Sequence, residues 1–460
     1  MRRHQIVAAI PDAGATPVVL FDFDDWFKVA QGTDFSPPDI RVSSTYSQLI
    51  DGEKWGASTR GDRTVKLKLS QFRGDAEEQA WVLQTLSRLL DDSRGQVFLW
   101  QDEGTVNERY FRTKRAALQI DDLLLLEDPK RVVSIDLAAE PSAYGRPVYG
   151  QFTIANNPIS GTNKMSATFP ADKIKGDVPA PLWLKANGSA IQWYSLLSSC
   201  CVPQGSTAGV PIFTGDFTPA AITGWTVAST ADSTAVSGTR KRMTRSSGAN
   251  EIVVPINTAL LNVPRGDYRI LARVQSSLAT ADVAAYVSEP AINPSPTKVW
   301  KDIPGTTWAY VDCGIVRAPG FGPRGADLSA YVGAASSRTT PVTSFKMPST
   351  GTVDLDGILL VPAELDLGRD TITALTTSLS GSEMVVDGIN REAYNTIVSG
   401  ASPLLGPVPL DGGFPEVVPG ATCRLNFVRR LGLADDDKTL STVIDWMYIP
   451  EYNYIRSAEG

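Results

Sequence analysis

TVKLKL (Thr64–Leu69) and GDAEEQAWVLQTLSRLL (Gly74–Leu90) set a strand beside a helix and decide the character of the first third of the chain. In the first stretch Val65, Leu67 and Leu69 share one face and Lys66 and Lys68 the other, the period of two expected of a half-buried strand. In the second, Leu83, Leu86 and Leu90 form one apolar stripe at helical spacing. Asp75 is the candidate N-cap, and Glu77 and Glu78 stand where the helix dipole favours anions. Strands are predicted around this pair at Arg41–Tyr46, followed by the turn signal Asp51-Gly52, and at Gln96–Gln101, Tyr110–Ile120 and Arg131–Ala138. One helix against a mostly antiparallel sheet makes residues 1–148 an α+β unit.

Beyond residue 148 the helical signal nearly vanishes. Residues 149–205 and 365–460 are short β-rich runs broken by Gly, Pro and Asn, and they predict one discontinuous β-sandwich domain. Between them, residues 206–364 are rich in Ser, Thr, Ala and Gly, with strands every 8–12 residues, the texture of a single sandwich or jelly roll. Its clearest strand is Gly266–Val274, with Tyr268, Ile270, Ala272 and Val274 on one face. Both edges are turn-like, as expected of a domain inserted into a host at neighbouring surface points. The fold class is therefore mainly β, with one helix and an inserted β jelly roll.

Composition excludes several kinds of chemistry. The chain has 460 residues, is 42% hydrophobic and 20% charged, and carries a formal net charge of −7, which argues against neutralising phosphates or specific nucleic-acid binding. Its one histidine, His4, is expected at the surface, which leaves no Ser-His-Asp triad and no multi-histidine metal site. Cys200 and Cys201 are neighbours, Cys313 and Cys423 stand apart, and no CxxC pair occurs. Buried reduced thiols in a chain that folds in the cytosol are expected. The apolar stretch after the first residues stops at Pro11 and the longest aliphatic run is Leu123–Leu126, so neither a signal segment nor membrane insertion is expected.

The carboxylate clusters Asp22/Asp24/Asp25, Asp121/Asp122 and Asp435/Asp436/Asp437 all lie in turn-like contexts and read as solvated loop charge rather than a glycosidase pair. The stretch Pro319–Pro323 lacks the strand-to-helix setting of a phosphate loop, and Arg240-Lys241-Arg242 reads as a solvated hairpin face. Aromatic residues of the 206–364 segment are the better candidates, because sugar rings stack their C–H faces on exposed indole and phenol rings. Trp300, in a loop beside Lys298 and Lys301, leads that set, followed by Trp308, Tyr310 and Tyr286.

Several of these stretches resemble a known family. Gly176-Asp177-Val178-Pro179-Ala180-Pro181, Val418-Pro419-Gly420-Ala421-Thr422, and the final Val443–Tyr452 with Trp446 and Pro450 resemble, in that order, motifs of siphophage distal tail proteins. Residues 1–148 are similar to that family's belt domain. The insert resembles jelly-roll carbohydrate-binding modules in Phe217–Trp225, Gly266-Asp267-Tyr268, Trp308–Gly314 and Val353–Leu360. The resemblance implies a non-enzymatic virion protein: a homo-oligomeric ring, usually a hexamer, between the tail tube protein and a baseplate hub or fibre protein. Its insert would bind host-surface glycan. No cofactor is implied beyond a structural calcium at positions matching Asp216 and Asp356, although two carboxylates fall far short of calcium's six to eight oxygens. The contrasting reading is a secreted glycoside hydrolase or adhesin with a binding module. A catalytic carboxylate pair and an export signal would mark it, and neither is visible.

Overall fold

The computed structural model describes residues 3–35, 37–38, 40–46, 53–91, 96–101, 108–120, 132–155, 166–169, 174–187, 192–203, 206, 211–213, 217, 221–235, 238–255, 266–288, 297–318, 340–365, 370–379, 382–399, 402–407, 414–429 and 441–453. It is mainly β, with one helix among these residues. The chain divides into two compact units: Met1–Tyr149 with Lys175–Ala180 and Tyr448–Gly460, and Gly150–Ile174 with Pro181–Met447.

The first unit is built on one antiparallel sheet running Val19–Asp22, Arg3–Val7, Val97–Gln101, Arg109–Ile120, Val132–Ala139, Arg63–Gln71, Phe27–Val29. Strand Arg63–Gln71 alternates as expected: Val65, Leu67 and Leu69 are buried and face Leu137, Ile135 and Val133 across the ladder. Helix Ala76–Asp91 buries Val82, Leu83, Leu86 and Leu90 in the same core. Asp75 caps it, its Oδ1 accepting from the amides of Glu77 and Glu78 at 3.0 and 2.9 Å. Such a cap contributes about 1 kcal/mol.

Two sequence expectations fail in this unit, each for a long-range reason. His4 is buried rather than exposed: its Nδ1 lies 2.7 Å from Asp24 Oδ1 and its ring centroid 3.9 Å from that of Trp100. The chain's last described residues belong here instead of with 365–447. Ala143 and Tyr144 pair with Tyr452 and Glu451, and the Arg109 guanidinium stacks 3.6 Å above the Tyr452 ring. The Asp177 amide donates to Glu451 O at 3.0 Å, Asn453 N donates to Asp177 Oδ1 at 2.6 Å, and buried Arg63 donates to Asn453 O.

The second unit holds two pairs of sheets. One pair consists of Val148–Ala155, Ser441–Tyr448, Ala180–Asn187, Ser382–Asp387, Glu392–Ser399 and Ser402–Pro407, and of Ser166–Phe169, Ala421–Arg429, Gln192–Pro203 and Asp370–Leu379. Val418-Pro419-Gly420-Ala421 forms the tight turn that enters Ala421–Arg429. The Ala421 amide donates to Val418 O at 3.1 Å, and Gly420 takes a positive φ of 75° that proline at the preceding position favours. Cys201 and Cys423 stand directly opposite in Gln192–Pro203 and Ala421–Arg429 and form a disulfide, correcting the expectation of reduced thiols. Only after the chain has travelled 222 residues do they become register partners, so spacing gave no hint of it.

The other pair draws every strand from residues 211–365. A six-stranded sheet runs Trp225–Ala231, Thr239–Arg245, Gly351–Leu365, Gly266–Ser276, Ala309–Ala318, with Pro211–Phe213 on Gly351–Leu365. A four-stranded sheet runs Glu251–Pro255, Thr340–Lys346, Asp282–Ser288, Lys301–Asp302. Tyr268, Ile270, Ala272 and Val274 point into the core between them, together with Phe217, Trp225, Ile252, Val283 and Phe345. Gly224 admits Trp225 to that core: its φ is +87°, and a Cβ there would lie 2.1 Å from Ser247 O.

Candidate functional site

On the four-stranded sheet, alternation sends Ile252, Val254, Val283, Ala285 and Phe345 inward and leaves Glu251, Lys346 and Asp282 on the outer face. Register then lines these outward residues up. Glu251 faces Lys346, Lys346 faces Asp282, and Asp282 faces Asp302 on the two-residue edge strand. One row of four charged side chains thus crosses four strands. Asp302 is exposed. Burial, together with the facing Asp302 carboxyl, holds Asp282 above the usual aspartate range.

Residues 297–300 run beside this row. Lys298 pairs with Glu251, and its ammonium lies 5.1 Å from the Tyr286 ring centroid and 5.9 Å from that of Trp300. Lys346 approaches Trp300 to 5.6 Å. Trp300 is half-buried and its neighbour Val299 is exposed. Tyr286 lies beneath, buried, its oxygen accepting from Ser344 Oγ at 3.3 Å. The site therefore offers part of an indole face beside ammonium donors and carboxylate acceptors.

The outer face of the six-stranded sheet is of a different kind. Arg273 and Asp356, with side chains 4% and 1% exposed, form an ion pair. The Arg273 guanidinium also stacks on Trp308 and Tyr310, at 4.9 and 5.8 Å from their centroids. Trp308 Nε1 donates to Thr234 Oγ1 at 2.6 Å. Beside this cluster, buried Asp354 accepts from Arg242 Nε and Nη2 at 2.8 and 2.9 Å and from Gln275 Nε2 at 2.9 Å, with Arg240 Nη1 3.2 Å away. Arg240 also pairs with Asp232 at 2.9 Å.

The sequence candidates are thus separated. Trp300 and Tyr286 share the four-stranded sheet's outer face, whereas Trp308 and Tyr310 sit on the six-stranded sheet. Trp308, Tyr310 and Tyr286 are at most 8% exposed, so none presents a ring face to a sugar in this structure. Arg273 over Trp308 and Tyr310, and Lys298 over Tyr286, take up surface that stacking on a ligand would need. Asp356 is neutralised by Arg273, and Asp216 lies outside the described residues, as do Asp121/Asp122, Asp435–Asp437 and Pro319–Pro323. Among the described residues no group of three or more His, Cys, Asp or Glu side chains is placed to hold a metal ion, and no helix is long and apolar enough to cross a membrane. Arg240-Lys241-Arg242 lies on the hairpin of Trp225–Ala231 and Thr239–Arg245 and is half-buried, with Arg240 and Arg242 also held by buried Asp354. Glu251, Asp282, Asp302 and Lys346 were not singled out from sequence. Each is an ordinary charged residue at a strand end, and only pairing brings them together.

No family model and no curated protein matches the chain. Among solved structures it is similar to the SPP1 Dit (gp 19.1) protein, described as a paradigm of the hub adsorption apparatus in phages infecting Gram-positive hosts. The TM-score there is 0.40 and the identity 8%, over 98% of this chain and 99% of that one. It is also similar to a chain of the phage P2 baseplate in its Ca-activated conformation, with a TM-score of 0.24 and 8% identity over 78% of this chain and 98% of that one. At these values the superpositions are loose.

Proposed function

We propose that the chain is a structural, non-enzymatic protein of a phage tail tip: a homo-oligomeric ring between tail tube and baseplate or fibre, with the 206–364 insert binding a host-surface glycan through Trp300. The observation that carries the reading is the meeting of two motifs more than 260 residues apart in sequence (Gly176–Ala180 and Val443–Tyr452). Val178 bridges to Glu451, and the Asp177 amide and carboxylate hold Glu451 and Asn453. Two of the three motifs that suggested the family thus meet in space.

Ring closure has a physical basis in the first unit. Its sheet ends on Val19–Asp22 at one side and Phe27–Val29 at the other, and Val18, Val19 and Leu20 on the first edge are 67%, 43% and 43% exposed. Among the described residues nothing pairs beyond these edges; an edge with apolar side chains invites pairing with another chain, and two unlike edges on one subunit favour head-to-tail closure. Six weak glycan sites on one ring would gain by avidity. Light scattering on the purified full chain, with images of its assemblies, tests the reading. Rings are expected, and Leu20→Lys should shift the population to monomers. A monomer at every concentration would overturn it.

A further inference from the structure

Resting on that glycan-binding reading, we infer that the cross-strand row Glu251–Lys346–Asp282–Asp302, with Lys298 and Trp300 beside it, is the insert's saccharide site, and that it selects an uncharged oligosaccharide. Length, charge and chemistry each contribute to the argument.

The row crosses three inter-strand spacings, about 14 Å at the usual sheet repeat, which is longer than one pyranose ring. Trp300 supplies the apolar surface on which a sugar's C–H face packs. Along the row the signs run negative, positive, negative, negative, and Lys298 adds a second positive charge beside Glu251. An anionic polymer laid along it would meet three carboxylates, and a cationic one two ammoniums. A hydroxyl meets neither obstacle, since it donates to carboxylates and accepts from ammoniums at once. Asp302, exposed on the edge strand, and Lys346, in the row beside Trp300, are the specificity residues.

The test is titration of the full chain with uncharged hexose oligosaccharides and with their uronic-acid counterparts. Uncharged oligosaccharides should bind, and longer ones better than monosaccharides. Trp300→Ala should weaken binding at least tenfold, with Trp300→Phe restoring part of it. Asp302→Asn and Lys346→Gln should each weaken it about tenfold, the scale of one hydrogen bond to a charged group. Thermal melting checks that the variants fold, and Asp302→Asn, being exposed, decides the matter should Lys346→Gln misfold. Loss on Trp300→Ala with Asp302→Asn unchanged would overturn the row while leaving the glycan reading intact. Tighter binding of the uronic-acid series would overturn the uncharged class alone. No binding of any saccharide would overturn both.

Discussion

Replacing Arg273 by leucine should melt the insert early, and the size of the loss follows from what the side chain does. Arg273 neutralises Asp356 where both are almost wholly excluded from water, and it covers the faces of Trp308 and Tyr310. Removing one partner of a buried pair leaves an uncompensated charge, at a cost of about 3–5 kcal/mol. For the proposed insert melting as one unit of about 160 residues, unfolding entropy near 2.1 cal/mol/K per residue gives roughly 0.34 kcal/mol/K, so its transition should fall by about 9–15 °C.

Cys313 makes that transition separable from the rest of the chain. It is free of any disulfide and lies in the insert core, and burial pushes its pKa up to about 12, so it should resist alkylation until the insert opens. Alkylation of Cys313 against temperature therefore reports the insert alone. Pairing Arg273→Met with Asp356→Leu should recover most of the loss, because a well-packed apolar pair often equals a buried ion pair. A chelator should leave the unmodified insert's transition in place, since Arg273 already balances the Asp356 charge. A single variant that melts within about 2 °C of the parent would refute the reasoning.

Two further outcomes are expected. Reduction, or Cys201→Ser, should destabilise the second unit by about 2–5 kcal/mol, because the bond closes a loop of more than two hundred residues; alkylation with intact mass, followed by melting with and without reductant, measures it. Asp302→Asn should stabilise the insert at neutral pH and change little in acid. Folding raises the Asp282 pKa, so the pair's favourable contribution is full below the ordinary aspartate value and is lost as pH rises through the folded one; a gain confined to acid would contradict that sign.

What could be read from the sequence depended on how far apart the interacting residues lie. Val65, Leu67 and Leu69, and Tyr268 through Val274, were legible because one-sided burial leaves a period of two within six to nine residues. Asp75 was legible because a cap bonds to amides two and three positions on. His4 was misread because Asp24 and Trp100 bury it from different strands and loops. Cys201 and Cys423, and Arg242 and Asp354, became partners only through pairing between distant strands. Aromatic identity likewise pointed to the insert without saying which rings the core would claim.

The two outer faces of the insert show why register decides the functional question. Both arise from the same alternation, and both carry charges and aromatic rings. On the six-stranded sheet Asp354 and Asp356 each meet an arginine with matching donors, and the rings beside them are stacked and covered. On such a face the carboxylates are already ion-paired, and a ligand would have to break buried pairs to reach them. On the four-stranded sheet, three carboxylates meet two lysines, two of those carboxylates oppose each other, and the nearest indole is half-buried rather than buried. Like charges set directly opposite in a ladder are unfavourable on their own. That imbalance, placed next to a half-buried ring, is what distinguishes this face as the one proposed to meet a partner from outside the chain.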